Sequence, residues 1–173
     1  MEGSRGLGDV YKRQAYNNLG AILRDEGKIS KAIEACKKAI LLKPDYAEAY
    51  YNLSFSYNLK GDLEIGFRLY EWRLREKRFI ARSPRKHLTW DGKKSILGKK
   101  FFVYEEQGLG DTIQFTRYLL LLKEKGAEVT FRVKKKMHAL LRSLDKDIIF
   151  VDSDPDQNNI DFEAPLMSLP HLF

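Results

Sequence analysis

From Ala15 to Lys77 the apolar residues follow a helical rather than an alternating period, and Gly27, Pro44 and Gly61 interrupt them. Four helices are predicted, near Ala15 to Glu26, Ser30 to Leu42, Ala47 to Leu59 and Leu63 to Lys77. Pro44 has no N–H to continue a helix, and Asp45 behind it offers an N-cap to the next one. From Lys100 the pattern changes. Phe101 to Tyr104 is a short apolar run of strand type, and Asp111 to Lys125 has helical spacing through Ile113, Phe115, Tyr118, Leu119 and Leu122. Ala127 to Val133 reads as a strand, Lys135 to Ser143 as a helix, Ile148 to Val151 as a strand and Phe162 to Met167 as a fourth. Such alternation predicts a parallel sheet with right-handed crossovers, so the expected fold class is α followed by α/β.

Residues 79–99, with Pro84, His87 and Trp90-Asp91-Gly92, form a polar, turn-rich stretch that reads as a linker with an anchor. Residues 1–14 fit no helix start and read as a non-native or disordered leader. The expected domains are therefore 15–78 (helical) and 100–173 (α/β). The apolar stretch Pro165 to Phe173 begins an element that does not finish, so a longer parent chain is expected.

The helical part repeats. A shift of 34 residues aligns Tyr16-Asn17-Asn18-Leu19-Gly20 with Tyr50-Tyr51-Asn52-Leu53-Ser54, Gly27 with Gly61, Ala32 with Gly66 and Cys36 with Tyr70. The period and the slots filled by Tyr16, Leu19, Gly20, Ala32, Ala39 and Pro44 resemble the tetratricopeptide repeat (TPR). Gly20 and Ala32 are small where two antiparallel helices must approach. The second copy departs from the pattern at Arg73 and Arg78, which suggests a terminal unit with a longer last helix. Two such units are marginal alone, since about three are needed to bury a continuous core. The resemblance implies a groove for a protein or peptide partner, lined by Asn17, Asn18, Arg24, Asn52 and Asn58. Asn18 and Asn52 recur at one slot and are the candidate peptide clamps; Tyr16, Tyr50, Tyr57 and Tyr70 read as packing within the stack.

The first strand of the α/β part runs into Glu105-Glu106-Gln107-Gly108-Leu109-Gly110-Asp111. Ligands bind at the carboxyl ends of parallel strands, so Gln107, Gly108, Leu109 and Gly110 form the candidate ligand loop. Its glycines permit a tight turn and close approach of a ligand. The third glycine of a dinucleotide fingerprint is missing, and no Gly-Lys-Ser/Thr marks a P-loop.

Trp90-Asp91-Gly92, the run Phe102 to Phe115, Arg117-Tyr118 and Pro165 to Pro170 look like bacterial TPR proteins whose C-terminal domain is similar to the heptosyltransferase family of glycosyltransferases. In that family a Gly-Asp at the head of the first helix supplies the base that deprotonates the acceptor sugar hydroxyl, and Asp111 matches it. Leu120 departs from the pattern, where relatives tend to have proline. The resemblance implies a Rossmann-like fold and a sugar acceptor. A nucleotide sugar as donor is expected only for a longer parent, because the half that binds it is absent, and no cofactor is expected for this chain. Two roles stay open for Asp111, general base and helix cap. The rival to an enzyme is a binding scaffold whose α/β part is structural.

Composition changes this little. The chain has 31 Lys and Arg against 24 Asp and Glu, a net charge of +7, yet its basic runs lack the interleaved aromatics of an RNA-binding surface, which argues against nucleic acid. No apolar run is long enough to span a membrane and no signal-peptide core is present, so a cytoplasmic location is expected. Cys36 is the only cysteine and reads as a small buried hydrophobe. His87, His138 and His171 are scattered, so no metal site is expected.

Overall fold

The computed structural model describes residues 2–76, residue 85 and residues 87–173, with side chains from Gly8 onward. Two compact units divide it, 1–81 and 82–173.

The first unit is two helical hairpins. Helices α1 (Glu2–Asp25) and α2 (Ile29–Leu42) form one, and α3 (Ala47–Lys60) and α4 (Leu63–Tyr70) the other. Gly27 and Gly61 turn the chain with φ of 75° and 92°, a left-handed conformation that glycine adopts without steric cost. Helix α1 begins at Glu2 rather than near Ala15, so the segment read as a leader is helical. No proline interrupts residues 2–14, and extending a helix already nucleated on α2 costs far less than starting one.

Gly20 has the predicted role. A Cβ there would lie 2.5 Å from Cys36 Sγ and 3.3 Å from the Ala32 carbonyl oxygen, so α1 and α2 approach only because that atom is missing. Gly66 does the same for α3 and α4, its missing Cβ leaving room for the Asn58 side chain. Between the hairpins Leu53 packs against Ile33 and Cys36, flanked by Ile29, Ile40, Tyr57 and Leu69.

Two details differ from the sequence reading. Asp45 does not cap α3: Tyr46 holds the cap position and no side chain bonds the free N–H groups there. The fourth helix does not run on; it gives way to a 3-10 turn at Glu71–Arg75. Arg73 is wholly buried, donates to the Tyr70 carbonyl at 3.3 Å and pairs with Glu71 at 2.6 Å. Its guanidinium thus takes a carbonyl that a continuing α-helix would give to a backbone N–H. Lys77, Arg78 and Pro84 lie outside the described residues.

The second unit is built on a parallel sheet of order β3-β2-β1-β4, from β1 (Lys100–Tyr104), β2 (Glu128–Arg132), β3 (Ile149–Val151) and β4 (Phe162–Pro165). Strand β1 lies between β2 and β4 and is buried from Phe101 to Tyr104, as an inner parallel strand covered on both faces must be. Phe102 and Tyr104 face Leu88 and Ile160, while Phe101 meets the Trp90 ring edge-on at 5.5 Å.

One long helix was predicted after β1. Two form instead, α5 (Leu109–Phe115) and α6 (Arg117–Glu124). Thr116 sits at the break, its hydroxyl donating to the Ile113 carbonyl at 2.8 Å, the local bond by which threonine competes with the helical ladder. After β2 a 3-10 turn (Lys135–Met137) leads into the short α7 (His138–Leu141), and a second (Leu166–Ser168) joins β4 to α8 (Leu169–Leu172).

Where the sequence suggested a linker over 79–99, the described part of it is integral to the second unit. Leu88 and Trp90 exchange backbone hydrogen bonds with Glu163, and Thr89 pairs with it as a further parallel bridge at the β4 edge. Glu163 is wholly buried and accepts from both the backbone N–H and the guanidinium of Arg85. Trp90 is 2% exposed and donates its indole N–H to the Lys94 carbonyl. Asp91 accepts from the backbone N–H groups of Lys94 and Lys93, which hold its carboxyl below the ordinary range.

Candidate functional site

After β1 the chain builds β2 and β3 on one side and returns to place β4 on the other. The connections leaving β1 and β4 therefore diverge at their carboxyl ends, the switch point at which open α/β sheets bind ligands. Residues Glu105 to Gly108 leave β1 there, Leu166 to Ser168 leave β4, and α5 packs on the latter turn.

Gly108 occupies the N-cap position of α5 in extended conformation, and its carbonyl accepts from both the N–H and the hydroxyl of Thr112 at 3.0 Å. Neither Gly108 nor Gly110 has a positive φ, so the turn itself does not require glycine. A Cβ on Gly110 would meet nothing within 4 Å, and one on Gly108 only Asp111 Oδ2 at 3.4 Å. What the glycines leave is open space beside the backbone.

Leu109 and Gly110 open α5, and Asp111 stands in its first turn, two residues past the start, so it is not the N-cap. Its carboxylate folds back over Gly108. Gln107 precedes the cap, and its Nε2 and Oε2 of Glu105 are buried with no hydrogen-bond partner among the described residues. The other Glu105 oxygen accepts from the Lys134 N–H at 3.2 Å, which turns this side chain toward the end of β2. The sequence alone did not single out the residue that holds the rim. Arg132 lies over the Tyr104 ring at 5.4 Å, pairs with Asp154 at 2.7 Å and reaches the Glu105 carbonyl at 3.4 Å, tying the ends of β1, β2 and β3 together. Its place at the last residue of β2 was the available signal. Lys134, Lys135 and Lys136 are exposed beyond it.

In the first unit, α1 and α3 meet along a polar seam. Asn52 donates to the Asn17 side-chain oxygen at 2.9 Å, with Arg13 over the Tyr46 ring and Arg24 over the Phe55 ring, the latter at 5.4 Å. Asn17 is wholly buried and its own Nδ2 is left without a partner. The two asparagines expected to act alike are thus in different places: Asn52 is engaged with Asn17, whereas Asn18 faces outward, exposed. A 34-residue period equates them by sequence, but among the described residues only Asn52 meets a preceding helix, through Asn17 of α1.

The first hairpin is of a known kind. Residues 13–46 match the tetratricopeptide repeat. The match covers α2 and all of α1 from Arg13, with the Gly20 approach and the Gly27 turn inside it. This repeat gives the chain a protein-interaction module. Comparison with curated proteins finds no match. Among the described residues no helix is long and apolar enough to cross a membrane, and no cluster of His, Cys, Asp or Glu is arranged to hold a metal ion.

Proposed function

We propose that the tetratricopeptide hairpins recruit a polypeptide and that the α/β unit is the acceptor-binding part of a sugar transferase, with Asp111 as the base that takes the acceptor hydroxyl proton. The observation that carries the reading is the switch-point loop. There the Asp111 carboxylate stands beside open space over Gly108 and Gly110, and the buried Gln107 Nε2 has no hydrogen-bond partner among the described residues. A carboxylate in the first turn of a helix is stabilised in its charged form and is a ready acceptor for a hydroxyl proton. A nucleotide-sugar donor would be held by a further α/β half, and the exposed lysines Lys134 to Lys136 lie on the rim where an anionic acceptor would approach.

The test is sugar transfer by the parent protein carrying Asp111→Asn, with the thermal melt measured in parallel. Loss of turnover by about 100-fold or more with an unchanged melt supports the base, since general base catalysis contributes about 10²–10⁴-fold. Unchanged turnover removes Asp111 from the chemistry. Recruitment is tested separately with Arg24→Ala, which should weaken polypeptide binding at the α1–α3 seam and leave transfer to a small acceptor unaltered.

A further inference from the structure

The turn that follows Trp90 is tied down at every step. Trp90 gives its indole N–H to the Lys94 carbonyl at 2.9 Å, and Asp91 Oδ1 accepts from the N–H groups of Lys93 and Lys94 at 2.9 and 3.0 Å. Gly92 has φ of 76°, and a Cβ there would lie 2.7 Å from the Leu172 carbonyl oxygen, so a larger residue is excluded. Ile96, 2% exposed, anchors the far end. The backbone between these anchors is fixed, and the side chains it holds out to solvent are Lys93, Lys94 and Ser95. With Lys125, from the turn after α6, they border a cleft of about 220 Å³ that has the buried Trp90 and Ile96 behind it.

These three lysines differ from their neighbours in having no counter-charge. Lys99 pairs with Asp161, and Lys123 with Asp145 and Asp147. Among the described residues no carboxylate pairs with Lys93, Lys94 or Lys125; Lys125 lies over the Phe173 ring at 5.6 Å instead. Asp91, the acid on the same turn, is taken up by backbone N–H groups. Ammonium groups gathered round one cleft repel one another, and an anion between them reverses the sign of the interaction.

We infer that this cleft binds the phosphate group of a small phosphorylated ligand. Ammonium groups are point charges that can surround a tetrahedral dianion from several sides, and the Ser95 hydroxyl adds a donor beside them. The enclosed volume suits one or two phosphoryl groups. Because the turn is already held in place, binding orders only the lysine side chains. Ile96 precedes β1 and Lys125 precedes β2, whereas the candidate crevice lies at the carboxyl ends of the strands. The site is thus separate from that crevice and stands whether or not the transferase reading does.

The test is calorimetric titration of the chain with pyrophosphate at about 0.15 M salt, where distant charges are screened. Saturable binding at one site is expected. Lys93→Gln with Lys94→Gln should weaken it by about tenfold or more, since hydrogen bonds to charged groups are among the strong ones. Lys125→Gln alone should weaken it as well, from the other wall. All three side chains are exposed, so the thermal melts should match that of the parent. Lys37→Gln with Lys38→Gln removes the same charge from the exposed side of α2 and should leave the affinity unchanged. Absence of saturable binding, or an equal loss in the Lys37 and Lys38 variant, overturns the site. A single-stranded oligonucleotide that binds more tightly per phosphate than pyrophosphate, through the same lysines, would make them part of a polyanion surface and overturn it equally.

Discussion

At the scale of single residues, Cys36 shows how packing sets chemistry. It lies wholly buried where α1 crosses α2, against the space left by Gly20. Burial pushes its thiol up to about 11 from an ordinary 9.0, the nearby Arg24 charge offsetting part of the effect. The thiolate is the reactive form, so native protein at pH 8 should not react with a disulfide reagent while urea-unfolded protein reacts fully; rapid native labelling would contradict the packing. The raised value also fixes a sign. The folded state holds the proton more tightly than the unfolded one, so this contribution to stability is complete below pH 9 and is lost as the pH rises toward 11. A urea midpoint followed through that window should fall more in the wild type than in Cys36→Ala.

At the scale of elements, the decisive piece is the segment entering the sheet edge. Arg85 pairs with a wholly buried Glu163 on β4, and Leu88 to Trp90 then runs beside that strand. Removing one partner of a buried pair costs about 3–5 kcal/mol, because the remaining charge is left in a poor dielectric. Arg85→Ala removes the guanidinium but keeps the backbone N–H donor to Glu163, and should destabilise the second unit by about 1.5–3 kcal/mol, read from the urea unfolding of its sheet. Asp161 is a weaker, exposed version of the same device, its carboxyl held below the ordinary range chiefly by the Lys100 N–H at the start of β1. That bond is present at neutral pH and is lost as acid protonates the carboxyl below its ordinary value. The helix break at Thr116 belongs here too. Apolar spacing through Leu119 and Leu122 predicts a helix correctly but is blind to a hydroxyl that takes a carbonyl from it.

At the scale of the molecule, the two units carry separate cores, one between helices and one around a parallel sheet. A fragment beginning at Arg82 should give a cooperative melt, whereas one beginning at Lys100 should not, having lost Trp90 and Arg85. Equal melts for both would mean that the docked segment adds little.

The sequence by itself determined the hairpins, the sheet and the position of the candidate loop. Helix and strand periods, glycines at left-handed turns and a proline after α2 are local properties, and they placed Asp111 and Gln107 to Gly110 at the end of β1 before any packing was known. Only the tertiary structure decided what those residues meet. It put Gly108 rather than Asp111 at the helix cap, since the chain leaves β1 extended as far as Gly108. It separated Asn18 from Asn52, because Asn52 meets Asn17 of α1 while Asn18 is exposed. It turned the linker into part of the sheet through Glu163, which follows Arg85 far along the chain. Repeats and periods are written in neighbouring residues; burial and pairing depend on what the rest of the chain brings alongside, and so they appear only when the chain is folded.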